Sequence, residues 1–230
     1  MMSRPIPITG EIAQVGGYGL TAPEDAAIYL VNFDGRAALV DAGTGRGHKR
    51  LLDNIDKAGG RKGQIEYLLL THCHYDHTGG ALDLRDAFGC PVVAHELDAD
   101  FLERGDSEVT AASWYGTKFY PCPVDRRLRG ARATLMLGER PITALHIPGH
   151  SPGSLAFLAE SEGQTVLFAQ DVHGPLDPRL RSNLADYRAS LERMLALEAD
   201  ILCEGHYGIF RGKMAVADFI RSFLEETGGY

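Results

Sequence analysis

One short segment constrains this chain more than any other. The stretch LLLTHCHYDHTGG, residues 68–80, places His72, His74, Asp76 and His77 directly behind an apolar run. Imidazole nitrogens and carboxylate oxygens are the usual ligands of zinc and similar divalent metals. Because alternate side chains of an extended backbone point the same way, His72 and His74 could hold one ion together. Asp76 and His77 could face a second position.

Three further side chains of the same kind occur far along the chain. His150 lies in the turn-rich motif IPGHSPGS, Asp171 follows the apolar run QTVLFAQ, and His206 follows ADILCEG. Each alone could be a turn residue, a helix cap or a buried imidazole. Loops at the carboxyl ends of strands gather into sites in layered α/β proteins, so these side chains are expected to join the His-rich segment. Their order along the chain therefore indicates a metal site.

The pattern of apolar runs and turns predicts an α/β protein. The runs 26–33 and 36–43 are separated by Asp34-Gly35, a strong hairpin signal. Helical spacing is found at 46–58, 81–88, 182–197 and 213–226, and strands are predicted at 65–71, 90–95 and in the runs ATLML, PITALHI, SLAFLAE, QTVLFAQ and ADILCEGH. Two sheets packed face to face with helices outside, as one domain over residues 1–230, satisfy this order.

Residues 96–130 interrupt the regular pattern. HELDADFLERG predicts a short helix, and the two prolines of TAASWYGTKFYPCPVD exclude a long regular element after it. Such a segment within a domain is typical of a lid or a binding loop. Its aromatic side chains could form an apolar wall over the metals, or they could pack the segment onto the body of the protein. These side chains are Trp114, Tyr115, Phe119 and Tyr120.

Composition excludes several classes of partner. The chain has 23 Lys and Arg against 31 Asp and Glu, a net charge of 23 − 31 = −8, which argues against nucleic acid and anionic membranes as partners. The first residues lack the apolar core of a signal peptide, and no apolar stretch reaches the roughly 18 residues of a membrane helix. Four scattered cysteines are typical of reduced thiols in a cytoplasm. We expect a cytoplasmic protein that acts on a small molecule; a homodimer and a monomer both stay open.

Taken together, the motifs resemble the metallo-β-lactamase superfamily. They are LVDAG (39–43), THCHYDHTGG, PGHSPGS, the strand end at Asp171 and EGH (204–206), and they extend over nearly the whole chain. The resemblance implies a four-layer αββα sandwich of two mixed β-sheets flanked by helices, with a dinuclear site at one edge. The chain departs from the family at Gln170, where Gly is common, and a slightly altered backbone is expected there.

The resemblance also assigns the candidate ligands to two ions. The first ion would be bound by His72, His74 and His150. The second ion would be bound by Asp76, His77 and His206. Asp171 would bridge both ions, and Asp41 of LVDAG would support the site from behind the ligands, although the sequence alone leaves a turn role for Asp41 equally open. Two zinc ions are preferred, and iron or manganese suit the same ligands.

The expected mechanism needs no protein nucleophile. Two divalent ions about 3.5–4 Å apart can share a water and lower its pKa, so that a bridging hydroxide attacks an acyl carbon. The chain has no G-x-S-x-G motif, and Cys73 is expected to point away from the ligands and pack. Asp76 is expected to hold the hydroxide and to carry its proton to the leaving group.

The substrate is less constrained, because one fold supports many reactions. We expect a glyoxalase II-like or lactonase-like hydrolase of a small ester, lactone or thioester. Gly174 stands where quorum-sensing lactonases have Tyr, which weakens the lactone reading. Two alternatives stay open: a mononuclear non-haem iron oxygenase of persulfides, with two His and one Asp as ligands, and a metal-binding protein without catalysis. His173 could reach the substrate or could be an ordinary loop residue.

Overall fold

The computed structural model describes residues 4–229. The strands are β1 Ile6–Pro7, β2 Ile12–Gly16, β3 Ile28–Phe33, β4 Arg36–Val40, β5 Ile65–Leu69, β6 Val92–His95, β7 Arg126–Leu128, β8 Arg132–Leu137, β9 Arg140–His146, β10 Leu155–Ser161, β11 Gln164–Phe168, β12 Ile201–Cys203 and β13 Ile209–Arg211. The α-helices are α1 His48–Lys57, α2 Tyr75–Thr78, α3 Ala81–Phe88, α4 Glu96–Arg104, α5 Leu184–Leu195 and α6 Lys213–Glu226. Short 3-10 helices occur at Ala112–Tyr115, Pro178–Leu180 and Thr227–Gly229.

The strands form two mixed sheets. The first has the order β1-β2-β3-β4-β5-β6-β7, antiparallel from β1 to β4 and parallel from β4 to β7. The second has the order β13-β12-β11-β10-β9-β8 and is antiparallel except between β11 and β12. The parallel strands matter most for the site, because their carboxyl ends lie at one edge of each sheet.

The β3–β4 hairpin shows how the sequence produces these layers. Asp34 and Gly35 both adopt positive φ angles, 51° and 85°, as a two-residue hairpin turn requires. Side chains of β3 alternate between two apolar clusters: Leu30 packs in one, and Tyr29 and Val31 pack in the other. A strand buried on both faces accounts for the nearly continuous apolar run in the sequence.

Three apolar clusters define four layers. One lies between the first sheet and α1, α3 and α4, where Leu51, Leu84 and Leu102 are buried. The second lies between the two sheets. The third lies between the second sheet and the helices α5 and α6, with Leu191 and Ile220 buried there. The predicted αββα sandwich of two mixed sheets flanked by helices is therefore confirmed.

Several short elements were missed in the sequence. The strands β1, β7 and β13 have only two or three residues each, which is too short for a period of two to be recognised. β2, IAQVG, was also missed. Within the segment 96–130, α4 packs against the first sheet and β7 pairs with β6. The part without long regular structure is thus 105–125, shorter than the predicted insertion.

Two further observations concern the lengths of the helices and the state of the cysteines. Among residues 4–229, no helix is both long enough and apolar enough to cross a membrane. All four cysteines are buried and unpaired. Cys73 packs in the cluster beneath the first sheet, as expected for a side chain turned away from the ligands, and burial raises the pKa of its thiol.

Candidate metal centre

Loops that follow the strands bring all the candidate ligands to one edge of the sandwich. Backbone hydrogen bonds tie these loops together across the layers: Leu155 N–H donates to the Thr71 carbonyl (2.6 Å), and Ala27 N–H donates to the Gly205 carbonyl (2.8 Å). Ala26 N–H likewise donates to the carbonyl of Asp76 (3.1 Å). The positions of the ligands are thus fixed by both sheets rather than by one flexible loop.

The first group of side chains surrounds one point at this edge. His72 Nε2 and His150 Nε2 are 3.3 Å apart, and they lie 3.6 Å and 3.2 Å from Asp171 Oδ2. The ring centroid of His74 lies 4.5 Å from the ring centroids of His72 and His150. Ligands about 2.0–2.1 Å from a tetrahedral zinc ion lie roughly 3.3 Å from one another, so this spacing fits a metal.

The second group lies on the other side of Asp171. His206 Nε2 is 3.2 Å from Asp76 Oδ2, and His77 Nε2 is 3.7 Å from the same oxygen. Asp171 presents its other oxygen, Oδ1, at 3.1 Å from His77 Nε2 and 3.3 Å from His206 Nε2. The two oxygens of one carboxylate therefore face two different groups of ligands.

Unpaired polar atoms support the same interpretation. His74 Nε2, His77 Nε2 and Asp171 Oδ1 are buried without a hydrogen-bond partner. Buried polar atoms nearly always have such a partner, and an unpaired one is costly. A cation in each group would satisfy all three atoms at once. The residues present thus fit two divalent ions.

Hydrogen bonds behind the cluster fix the orientation of the rings. His77 Nδ1 lies 2.8 Å from Asp41 Oδ2, and His150 Nδ1 lies 2.9 Å from the Pro175 carbonyl. Thr71 Oγ1 lies 3.1 Å from His72 Nδ1 and donates its own proton to Asp41 (2.7 Å). A proton on each Nδ1 leaves the Nε2 lone pair pointing into the cluster, which is the form that binds metal.

The protonation of the cluster follows from burial and from its carboxylates. Burial lowers the pKa of His74 to about 3 and lowers that of His72 well below its ordinary value. Burial alone would raise the pKa of Asp171, but the nearby His77 and His206 imidazoles lower it well below the usual range. Asp171 in turn outweighs burial at His206 and raises its pKa to about 10. A positive charge is thus favoured between the carboxylates, where an ion would lie.

His173 lies beside the cluster, where the sequence left its role open. It forms a third close group with Asp171 and His206, and its ring centroid is 5.2 Å from that of His206. Its Nδ1 is 2.8 Å from Oε1 of Glu204, a fully buried carboxylate. Glu204 also accepts the backbone N–H of His206 (2.6 Å) and of Tyr207 (2.8 Å). Sequence reasoning missed Glu204; a charged residue within the apolar run ADILCEGH was the signal.

The four aromatic side chains whose role the sequence left open lie in different places. Burial and the adjacent Asp76 carboxylate raise the pKa of the Tyr115 hydroxyl. Trp114 is 44% exposed, with the Arg179 guanidinium 5.0 Å from its ring. Phe119 is buried in the cluster beneath the first sheet, and Tyr120 is 77% exposed. The structure therefore brings Tyr115 to the ligands and places Phe119 in the core instead.

Gln170, which stands where the family commonly has Gly, anchors the loop before Asp171. Gln170 is buried, and its Nε2 donates to the Ala27 carbonyl (2.9 Å). Asp171 itself has a φ angle of 54°, a conformation that Asp tolerates better than most residues. A Cβ at Gly205 would come within 2.7 Å of both Asp171 Oδ1 and Gln170 Oε1, so the close approach of this loop requires glycine.

A cavity of about 410 Å³ opens beside the cluster and is lined by Tyr18, Glu24, Tyr115, Gly205, His206 and Tyr207, among others. Another cavity, of about 530 Å³, lies along β1, β2 and the end of α1 and contains none of the candidate ligands. Substrate sites combine a concave surface with a few converging polar groups, so the smaller cavity is the candidate substrate site.

Fold and site together define a class of protein. A sequence model of the metallo-beta-lactamase superfamily matches residues 22–206, which include every candidate ligand. The chain belongs to this superfamily. The prediction of a metal-dependent hydrolase is confirmed for the class, and the family implies that the His and Asp clusters bind divalent metal.

Individual relatives narrow the comparison. The chain is 31% identical over 212 residues to acyl-coenzyme A thioesterase MBLAC2 from Gallus gallus, a match that covers 80% of this chain and 73% of the relative. It is 26% identical over 197 residues to a hydroxyacylglutathione hydrolase from Acidiphilium cryptum, covering 83% and 68%. The metallo-beta-lactamase GOB-18 from Elizabethkingia meningoseptica superposes with a TM-score of 0.78 at 26% identity, covering 100% of this chain and 91% of that one.

Proposed function

We propose that this protein is a dinuclear metal-dependent hydrolase of thioesters. The observation that carries the proposal is the position of the Asp171 carboxylate. Its Oδ2 lies against His72 and His150, and its Oδ1 lies against His77 and His206. A carboxylate that divides two groups of ligands in this way is suited to bridge a pair of ions.

The ligands divide accordingly. His72, His74 and His150 would hold one ion, and Asp76, His77 and His206 would hold the other. Zinc is the preferred metal for both positions, because neutral imidazoles and carboxylates at tetrahedral spacing suit it. When bound, the metal pair supplies an activated water and an electrophile for the carbonyl oxygen of the substrate.

The side chains of the protein handle the proton. Asp76 Oδ2 lies 3.2 Å from His206 Nε2, at the edge of the open cavity that Tyr115 and His206 line. Burial opposes ionisation of Asp76, yet the neighbouring His77 and His206 lower its pKa overall. From this position Asp76 accepts the proton of the attacking water and delivers it to the departing sulfur.

The choice of thioester among the possible acyl substrates rests on the relatives. By their names, the Gallus gallus protein acts on acyl-coenzyme A and the Acidiphilium cryptum protein acts on hydroxyacylglutathione, and both of these compounds are thioesters. Esters and lactones present the same carbonyl group, so they serve as comparison substrates in the same assay.

The iron oxygenase alternative uses only part of this site. Two histidines and one aspartate of the first group would be enough to hold a single iron. That reading gives no role to His77, which is fully buried, lacks a hydrogen bond on Nε2 and is oriented by Asp41. A buried imidazole with an unpaired nitrogen is costly, and a second ion bound at that nitrogen explains its position better.

Metal analysis and turnover test the proposal together. Protein purified without added metal is expected to contain about two equivalents of metal and to hydrolyse acyl thioesters. Asp76→Ala is expected to abolish hydrolysis, whereas Asp86→Ala, an exposed residue of α3, is expected to leave it unchanged. One iron per chain, with oxygen consumed on a persulfide, would show that the protein is an oxygenase instead. Near wild-type turnover by Asp76→Ala would refute the role of that residue.

A further inference from the structure

We infer that an apolar groove between α5 and α6 binds the acyl chain of the substrate, so that the enzyme prefers thioesters of medium-length, uncharged acyl groups. This inference rests on the proposed function and adds which part of the thioester, the acyl chain, the enzyme recognises. The groove has a volume of about 380 Å³. We call it the acyl groove; its lining residues are His173, Leu176, Leu184, Tyr187, Phe223, Glu226 and Thr227.

The acyl groove begins at the candidate metal centre. His173, at its inner end, offers a ligand atom within 4.8 Å of those of Asp171 and His206. The Phe223 ring lies 6.4 Å from the His173 ring on the other side. A carbonyl carbon held over the cluster could therefore extend its chain past His173 and into the groove without leaving the protein surface.

The lining selects the chemistry of the occupant. Leu176, Leu184, Tyr187 and Phe223 give the groove an apolar wall, and 39% of Leu184 is exposed to solvent. The one charged residue among the lining residues is Glu226, which disfavours a chain that ends in a carboxylate or a phosphate. An uncharged alkyl chain gains most from such a surface, because each methylene removed from water is stabilised.

The groove is held by the same loops that carry the ligands. Ser182 Oγ donates to the His150 carbonyl (2.7 Å), and Asn183 N–H donates to the Gly149 carbonyl (2.8 Å), which fixes the start of α5. The Tyr187 hydroxyl donates to the Val172 carbonyl, next to Asp171. A groove that is already formed loses little ordering entropy when a chain enters it.

The two halves of a thioester have separate places around the cluster. The cavity of about 410 Å³ lies on the side of Glu24 and Tyr115 and is the more polar of the two. The acyl groove lies on the side of α5 and α6, and the Tyr207 ring, 4.9 Å from that of His173, stands between them. The leaving thiol would occupy the polar cavity, and the acyl chain would occupy the groove.

A chain-length series tests the inference. With acetyl, butyryl, hexanoyl and octanoyl esters of one thiol, kcat/KM is expected to rise about two- to fourfold for each added methylene. Leu184→Asp puts a charge into the groove, yet it lies in the first turn of α5, where a carboxylate is favourable to the helix. The ratio of kcat/KM for the octanoyl ester to kcat/KM for the acetyl ester is expected to fall at least tenfold in this variant. Leu97→Asp, another exposed leucine in the first turn of a helix, is the matched control and is expected to behave as wild type.

A binding measurement separates the two proposals. Octanamide, which is uncharged and not a thioester, is expected to bind the wild-type protein at least tenfold more tightly than it binds Leu184→Asp, by calorimetry. If no thioester is cleaved but octanamide shows this difference, the groove stands and the proposed reaction fails. If thioesters are cleaved without regard to chain length, and octanamide binds both proteins equally, the acyl groove is overturned.

Discussion

The two groups of ligands differ in how far they are enclosed. His72, His74 and His150 are each no more than 4% exposed, and loops from both sheets surround them. In the second group His77 and Asp76 are buried, but 34% of the His206 side chain is open to solvent, at the rim of the cavity. Under the proposed function, an ion in the first group would be held more firmly, and an ion in the second would be open to the substrate.

The two groups are also supported differently. The first group is oriented by uncharged partners, the Thr71 hydroxyl and the Pro175 carbonyl. The second is supported by carboxylates: Asp41 holds the ring of His77, and Glu204 holds the backbone N–H of His206. Negative charge behind the second group favours a cation there, which offsets the weaker enclosure of that position.

The largest effect is expected where the two groups meet. Asp171→Asn keeps the shape of the side chain and tolerates the positive φ angle of 54°, but it removes the bridging charge. A metal pair would contribute several kcal/mol to the reaction, so kcat/KM is expected to fall about 10³-fold or more, and metal content is expected to fall below two. Asp34→Asn, the same change at an exposed positive φ of 51°, is the control. Two retained ions with normal kcat/KM would show that Asp171 does not bridge.

The next effect is a difference between the two groups of ligands in how fast they lose metal. Dialysis of the wild-type protein against a chelator is expected to remove metal in two steps, with the ion near His206 leaving first. His206→Ala is expected to eliminate the fast step and leave about one equivalent. His74→Ala is expected to speed the slow step instead. Metal content followed by mass spectrometry records both, with His48→Ala as an unaffected control. If the metal of the first group left before that of the second, the expectation that the first group holds metal more firmly would be wrong.

A smaller effect is expected from the support behind the ligands. Asp41→Asn preserves a hydrogen-bonding group at a buried position with a φ angle of 63°, but it removes the charge beside His77. Changes of this kind cost about 10–100-fold in metal affinity. The larger loss is expected at the second group, measured as a weaker second dissociation constant, because Asp41 contacts His77 directly and reaches His72 only through Thr71. Equal weakening of both constants would show that Asp41 does not act mainly through His77.

The clustering of the candidate ligands could be predicted from the sequence because their residue types are rare and their positions follow strands. His72, Asp171 and His206 each stand just beyond an apolar run, and the family motifs fixed their order. The orienting contacts could not be read in this way. That Glu204 meets His173 and that Tyr115 meets Asp76 depends on how distant loops pack, and no periodicity encodes such contacts. The role of Phe119 stayed open for the same reason, since an aromatic residue in an irregular segment can face the core or the site, and the structure buries it in the core.

A pair of stacked imidazoles outside the cluster, of which His95 is buried and His146 is half-buried, extends the comparison. His95 and His146 stack with ring centroids 3.9 Å apart and an angle of 6° between their planes. His95 is 3% exposed, and its Nδ1 accepts the Leu97 N–H (3.4 Å) at the start of α4. Burial and the adjacent His146 lower the pKa of His95 to about 4, whereas Asp171 and Asp76 raise that of His77 in spite of burial. Burial thus favours the neutral form of His95, whereas the adjacent carboxylates favour the charged form of His77.

The smallest effect follows from this lowered pKa. In the unfolded chain His95 titrates near 6.5, so between pH 6.5 and about 4 the unfolded state binds more protons than the folded state. Stability due to the neutral ring is therefore complete above pH 6.5 and is lost as the pH falls through this window. His95→Gln has no ring that titrates. The free energy of unfolding that this variant loses relative to wild type is expected to be about 1–2 kcal/mol smaller at pH 5 than at pH 7.5. Urea unfolding of both proteins at the two pH values measures this difference, with His48→Gln as the control; parallel losses in wild type and His95→Gln would show that His95 is not the group that titrates.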